Sequence, residues 1–202
     1  MRRIILLSLL ALVTLSTTGC PRYETVRKLS SEQLRVQEAF QDTLTKYFAS
    51  IEQFADNQVI VDKLYYDDLA DADEKRIRGK ARLDISRLAA GDTAGRDAIT
   101  EKLGHDLQVM RGTNDKDKKD LDDAVQSLKA KHREILAAYQ AILDAQRQLN
   151  EYIQLKKADE VIVEQLLGKI KINQQKITRL FDEAADISDK IKVKPPQPAP
   201  AN

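Results

Sequence analysis

Apolar residues recur along this chain in steps of three and four. From Leu121 they run through Val125, Leu128, His132, Ile135, Tyr139, Ile142, Gln146 and Leu149 to Ile153, alternating four and three without a miss. A second stripe runs Val163, Leu166, Ile170, Asn173, Ile177, Leu180, Ala184, Ile187, Ile191. Two seam positions in every seven residues bring one helix face round about every 3.5 residues, the spacing of helices that wrap around each other with a left-handed twist. An earlier stripe, Val36, Phe40, Leu44, Tyr47, Ile51 and Phe54, has the same rhythm and predicts one shared face. Ser30 and Gln33 stand at the spacing of a capping box, which places the start of that helix at Ser30. The later stripes change phase around Lys156-Lys157-Ala158-Asp159. Two antiparallel helices with a tight turn there is the preferred reading. The alternative is one bent helix of about 75 residues, about 110 Å long at 1.5 Å per residue.

Helix-breaking residues divide the chain. Prolines stand at 21, 195, 196, 198 and 200, so none interrupts 22–194. Glycines at 79, 91, 95, 104 and 112 mark 79–112 as a punctuated middle. Within it, Gly91-Asp92-Thr93-Ala94-Gly95 reads as a loop, and a short helix carries Ile99, Leu103, Leu107 and Met110. Gly112-Thr113-Asn114 reads as a stop followed by a new N-cap. Asn57–Leu64 resembles Asp159–Leu166 at an offset that also aligns Ala39-Phe40-Gln41-Asp42 with Ala141-Ile142-Leu143-Asp144. A duplicated hairpin would produce this echo, with a junction near Val59-Ile60-Val61, and so would chance among helical sequences. The predicted layout is a helical domain over 31–193, with two related hairpins on either side of 79–112 as one option, and an extended proline-rich tail over 194–202.

Composition agrees with that layout. Of 202 residues, 42% are hydrophobic and 32% charged, which is enough apolar material for a core and suits long amphipathic helices. Lys and Arg number 33 against 32 Asp and Glu, so no basic excess points to nucleic acid. One cysteine excludes a disulfide framework and any cysteine-based metal cluster within one chain.

That cysteine is positioned for another role. Met1-Arg2-Arg3 is a short basic start, Ile4 to Leu15 an apolar run too short to span a membrane, and Ser16-Thr17-Thr18-Gly19 leads directly into Cys20. Residues 1–20 resemble the signal peptide and lipobox of bacterial lipoproteins; Gly19 fits that pattern, and Thr17 stands where it usually has an aliphatic residue. The resemblance implies cleavage of 1–19, a diacylglycerol thioether (palmitate-bearing) at Cys20, and a tether over 20–30. Pro21 in place of the aspartate that retains lipoproteins in the inner membrane implies the periplasmic leaflet of an outer membrane. Two or three acyl chains anchor firmly where one binds only marginally.

Candidate chemistry in the helical region is sparse. His132 lies on the core stripe with Leu128 and Leu136 where metal partners at i±4 would stand, so it reads as a core histidine; His105, with Asp106 beside it and no third ligand nearby in sequence, has no stronger case as a metal ligand. Gln146 and Asn173 read as polar seam residues that set register. Asp115, Asp117, Asp120, Asp122 and Asp123 lack the central glycine and final glutamate of a calcium loop. Asp67, Asp68, Asp71, Asp73 and Glu74 run into Lys75, Arg76, Arg78, Lys80 and Arg82, a basic run suited either to anionic lipid headgroups or to i,i+4 ion pairs on a solvated face. Catalytic signatures of the common hydrolase, metalloprotease and phosphate-binding kinds are absent.

The expectation is an all-α, elongated helical bundle of antiparallel coiled-coil hairpins, held to the membrane through Cys20. It is expected to act without catalysis or cofactor, as a scaffold, spacer or accessory subunit of a cell-envelope complex, with protein partners or self-association along its helix seams. A membrane-surface or lipid-binding helical protein is the alternative. A bundle enclosing a small ligand or metal around His132 or Gln146 is a further one.

Overall fold

The computed structural model describes residues 23–155 and 160–191. The leader, Cys20, the turn expected at 156–159 and the proline-rich tail lie outside those residues. Three α-helices account for nearly all the rest: α1 (Tyr23–Ser86), α2 (Thr93–Leu155) and α3 (Glu160–Ile191). There is no strand among the described residues. At 1.5 Å per residue, α1 and α2 are each about 95 Å long and α3 about 48 Å.

α1 and α2 run antiparallel along their full length. Polar contacts fix the register from one end to the other: Ser31 to Asn150 at 3.5 Å, Gln41 to Gln140 at 2.7 Å, Asp56 to Lys129 at 2.8 Å, Glu74 to Arg111 at 3.2 Å. α3 turns back along the second half of α2, where Glu183 meets Lys131 at 2.8 Å. The molecule is therefore a rod with a three-helix half and a two-helix half, and the all-α antiparallel expectation holds.

Burial is concentrated where three helices meet. One cluster joins Leu44 and Phe48 of α1, Ile135, Tyr139, Ile142 and Leu143 of α2, and Ile170, Ile177 and Leu180 of α3. A second, nearer the end of α3, joins Ala55, Val59, Leu121, Val125, Leu128, Ala184 and Ile191. Both stripes read from 121 onward supply the α2 and α3 members of these clusters named here, except Leu143, which lies beside the α2 stripe and is fully buried.

The α1 stripe is different. Val36, Tyr47 and Phe54 are 61%, 41% and 70% exposed, whereas Phe48, Ala55 and Val59 are buried. α1 carries apolar residues on two adjacent faces, and only tertiary packing chooses between them. Leu44 lies near the border and is buried in either choice, and Phe40 and Ile51 are partly buried.

Three boundaries also shift. α1 begins at Tyr23 and not at Ser30; Ser31 Oγ bonds back to the Arg27 carbonyl, as a hydroxyl inside a helix does. Gly112-Thr113-Asn114 does not stop a helix, because α2 continues unbroken through Gly104 and Gly112. A helical glycine costs about 1 kcal/mol against alanine, less than losing the antiparallel packing on both sides of the break. α1 likewise runs unbroken through Gly79 and through Val59-Ile60-Val61, where a duplicated hairpin would have its junction.

The turn between α1 and α2 lies at 87–92 and overlaps the loop expected at 91–95. Gly91 adopts φ +98°, a left-handed conformation that other residues rarely take. Asp92 caps α2: its Oδ1 accepts the Gly95 amide at 2.9 Å. A Cβ at position 95 would stand 2.5 Å from that carboxylate, so glycine leaves the cap its room.

Candidate interaction surface

The deepest polar site is a layer across the three-helix half. His132 of α2, only 3% exposed, lies flat against Phe48 of α1, with ring centroids 4.1 Å apart and planes within 9°. Its Nδ1 is 2.9 Å from Glu52 Oε1. Burial pushes the imidazole below its ordinary pKa, opposed by the Glu52 carboxylate. The core-histidine reading is thus met by a specific partner, Glu52, which the sequence did not single out. One layer away, burial pushes the Tyr139 hydroxyl up to about 12, and it donates to the Gln37 carbonyl at 3.1 Å.

The histidine gives the fold a pH dependence. Below about pH 6.5 the unfolded chain binds a proton at this position that the folded chain, with its lowered pKa, resists. Stability is full above that pH and falls as pH drops through the window between the two values. Glu74, Glu183 and Asp67 are lowered chiefly by hydrogen bonds to Arg78, Lys131 and Lys118, so their losses come only below their ordinary 4.5 and 3.8. The melting temperature should therefore drop between pH 7.5 and 5.5, and His132→Gln should flatten that drop. A wild-type profile that is flat or rising toward pH 5.5 would contradict the assignment.

Gln146 is buried, and neither of its side-chain amide atoms has a hydrogen-bond partner among the described residues. Asn173, the other polar seam residue, is half-buried and donates to the Lys169 carbonyl at 2.9 Å. Asp62 is buried near the end of α3; one oxygen accepts from Gln58 at 2.8 Å and the other has no partner among the described residues. Extending the buried α1 stripe from Ala55 and Val59 by one step reaches Asp62, so the choice of the wrong α1 face hid it. No group of three or more His, Cys, Asp or Glu side chains gathers to hold a metal among the described residues.

The acidic and basic runs lie on α1 in the two-helix half. Arg76 pairs with Asp73 at 2.9 Å and Arg78 with Glu74 at 2.7 Å, so the i,i+3 and i,i+4 ion pairs of a solvated helix are present. Lys75, Lys80 and Arg82 are exposed and form no ion pair among the described residues. Successive members of the run point around the helix, so its charges are not gathered onto one flat face. The acidic stretch around 115–123 is not a loop: Asp122 pairs with Lys63 at 2.7 Å, and Lys118 reaches back to Asp67.

Where α3 stops, the seam between α1 and α2 opens. A groove of about 470 Å³ lies between Tyr66, Leu69 and Ile77 on α1 and His105, Val109 and Met110 on α2. A smaller one of about 300 Å³ continues it toward the turn, past Ala81, Ile99 and Leu103. Two helices cannot enclose their own seam, so the same heptad positions that are sealed beneath α3 are only half-covered here. No helix among the described residues is long and apolar enough to cross a membrane. Comparison with protein-family models, with curated proteins and with solved structures finds no match to this chain.

Proposed function

We propose that this chain is a lipid-anchored, non-enzymatic scaffold or spacer of the bacterial cell envelope, attached through Cys20 and acting through its helix faces. The observation that carries the reading is the shape: two helices of about 95 Å paired end to end, with large side chains such as Phe54, Leu64 and Ile172 uncovered on the outside. A rod of this kind offers length and side faces to a partner. The lipobox-like Thr17-Thr18-Gly19-Cys20 supplies the anchor, and α1 begins at Tyr23, three residues beyond Cys20. That closeness would transmit the position of the bilayer into the rod with little slack.

The test is Cys20→Ser in a bacterial host. The parent chain should incorporate labelled palmitate and sediment with membranes after a high-pH wash; the variant should lose both properties. Retention of the variant in the washed membrane, or absence of label from the parent, would overturn the anchor. Lys75, Lys80 and Arg82, exposed and without an ion pair among the described residues, favour a second reading, contact with anionic lipid headgroups. Binding of the Cys20→Ser chain to vesicles rich in anionic lipid, reversed by salt, would select that reading over the scaffold.

A further inference from the structure

We infer that the outer face of α1 is a dimer surface on which a second copy of this chain packs antiparallel. The inference does not depend on anchoring at Cys20. Along α1, Val36, Phe40, Thr43, Tyr47, Ser50, Phe54, Asn57, Val61 and Leu64 follow one another in steps of four and three; all are exposed except Phe40, which packs against Tyr139 at the edge of the core. This is a second, complete heptad seam, and it has no partner within the chain along most of its length. Val36, Tyr47, Phe54, Val61 and Leu64 are 61%, 41%, 70%, 58% and 62% exposed, and Ile60 beside them 59%. An aromatic side chain buries about 150–250 Å² and an aliphatic one somewhat less, so the uncovered parts of these six come to roughly 600 Å² per copy. That is at the upper edge of the largest apolar patch of an ordinary monomer, and two such faces together, about 1,200 Å², reach the size of a specific interface.

Side-chain size selects the occupant and its direction. The seam alternates large residues (Phe40, Tyr47, Phe54) with small or polar ones (Thr43, Ser50, Asn57). A parallel copy would set Phe54 on Phe54 and Ser50 on Ser50, crowding one layer and leaving the next empty. An antiparallel copy sets Ser50 and Asn57 against the rings of Phe54 and Tyr47. With the two-fold axis beside residue 52, Ser50 faces Phe54, Asn57 faces Tyr47, Thr43 faces Val61 and Leu64 faces Phe40, each pair formed twice. The interface is isologous and closed, as a two-fold dimer requires.

Charge points the same way. The seam continues beyond Leu64 as Asp68, Asp71, Lys75 and Arg78, all exposed. Parallel pairing would stack each of these on its own like charge. The antiparallel register instead sets Asp68 opposite Val36 and beside Arg35 of the other copy, and Lys75 opposite Leu29 and within one turn of its Glu32. The side chains of Arg35 and Glu32 are 79% and 65% exposed, and they pair with each other at 3.2 Å on the helix surface.

The test uses the full chain carrying Cys20→Ser, which leaves no cysteine, purified in a non-ionic detergent. Light scattering should give a dimer. Phe54→Glu should weaken it by roughly thirtyfold or more in dissociation constant while leaving helicity and melting temperature near the parent values, because Phe54 is outside the core. A single cysteine at the exposed position 72 (Ala72→Cys), spin-labelled, should give an intermolecular distance of about 60 Å, from 40 residues of offset at 1.5 Å each. A parent chain that is monomeric, a dimer indifferent to Phe54→Glu, or a label distance near 15 Å would each overturn the inference. In the first case the face would be left for a different protein.

Discussion

Phe48→Ala should lower the stability of the fold by about 3–5 kcal/mol, the largest loss expected from a single truncation in this chain. Phe48 is 2% exposed and is the point where all three helices touch: it stacks on His132 of α2 at 4.1 Å and lies 5.9 Å from Phe181 of α3. Truncation removes the transfer free energy of a ring and leaves a cavity that three long, mutually braced helices cannot collapse. It also strips the cover from His132. Water reaching that ring would let its pKa return toward the ordinary value, so the variant should lose part of the pH dependence along with stability. Phe48→Leu, which keeps most of the volume, should cost far less, about 1.5 kcal/mol. Chemical denaturation at pH 7.5 and 5.5 measures both effects; a loss for Phe48→Ala below about 1 kcal/mol would mean that the three-way contact is not the centre of the core.

Leu180→Ala should cost about 2–5 kcal/mol and should act on more than α3. Leu180 is fully buried and shares its cluster with Leu44 and Phe48 of α1 and Ile135 and Ile142 of α2. Loosening α3 therefore uncovers the seam of the hairpin beneath it, and the whole three-helix half should lose hydrogen-exchange protection together. The matched change Leu107→Ala, in the two-helix half, should cost less than half as much. Leu107 is also nearly buried, but the space it leaves lies between two helices with no third to wall it off, so solvent and side-chain motion relieve the vacancy. Its effect should stay local, raising exchange in 93–118 and 63–86 while 125–150 remains protected. Equal costs for the two variants, or loss of protection confined to α3 in Leu180→Ala, would show that the two halves do not differ in this way.

Much of this architecture was legible beforehand, and the places where it was not have a common cause. The stripe from Leu121 to Ile153 is buried at Leu121, Val125, Leu128, His132, Ile135, Tyr139, Ile142 and Gln146, and half-buried at its last two positions, Leu149 and Ile153. It was readable because α2 is the central helix, covered by α1 on one side and α3 on the other, and its polar residues fill the remaining face. α1 has one partner along most of its length and contacts α3 only slightly, so its apolar residues exceed what the chain itself covers. Val36, Tyr47 and Phe54 are as well spaced as Phe48, Ala55 and Val59. Periodicity counts spacing and is blind to which of two faces has a neighbour.

The polar sites divide along the same line. His132 and Gln146 were visible as polar residues inside an apolar stripe. Glu52 and Asp62 were not, because Asp62 becomes buried and Glu52 half-buried only through the face that α1 turns to α2, and that face depends on the antiparallel register with Glu38, Asp56 and Lys63 opposite Arg147, Lys129 and Asp122. Gly104 and Gly112 misled for a related reason: a glycine's local preference of about 1 kcal/mol is set against packing contributed by another helix tens of residues away.

By itself, then, the sequence determined that the chain is helical, that two long segments carry heptad seams and that prolines confine them between 22 and 194, since these follow from local spacing and from the backbone limits of proline. Only the tertiary structure decided where the helices end, which face of α1 enters the core, and that α3 covers half of the hairpin and leaves the other half open. Those outcomes depend on which surfaces meet, and burial against a distant helix outweighs the small local preferences that a single sequence displays.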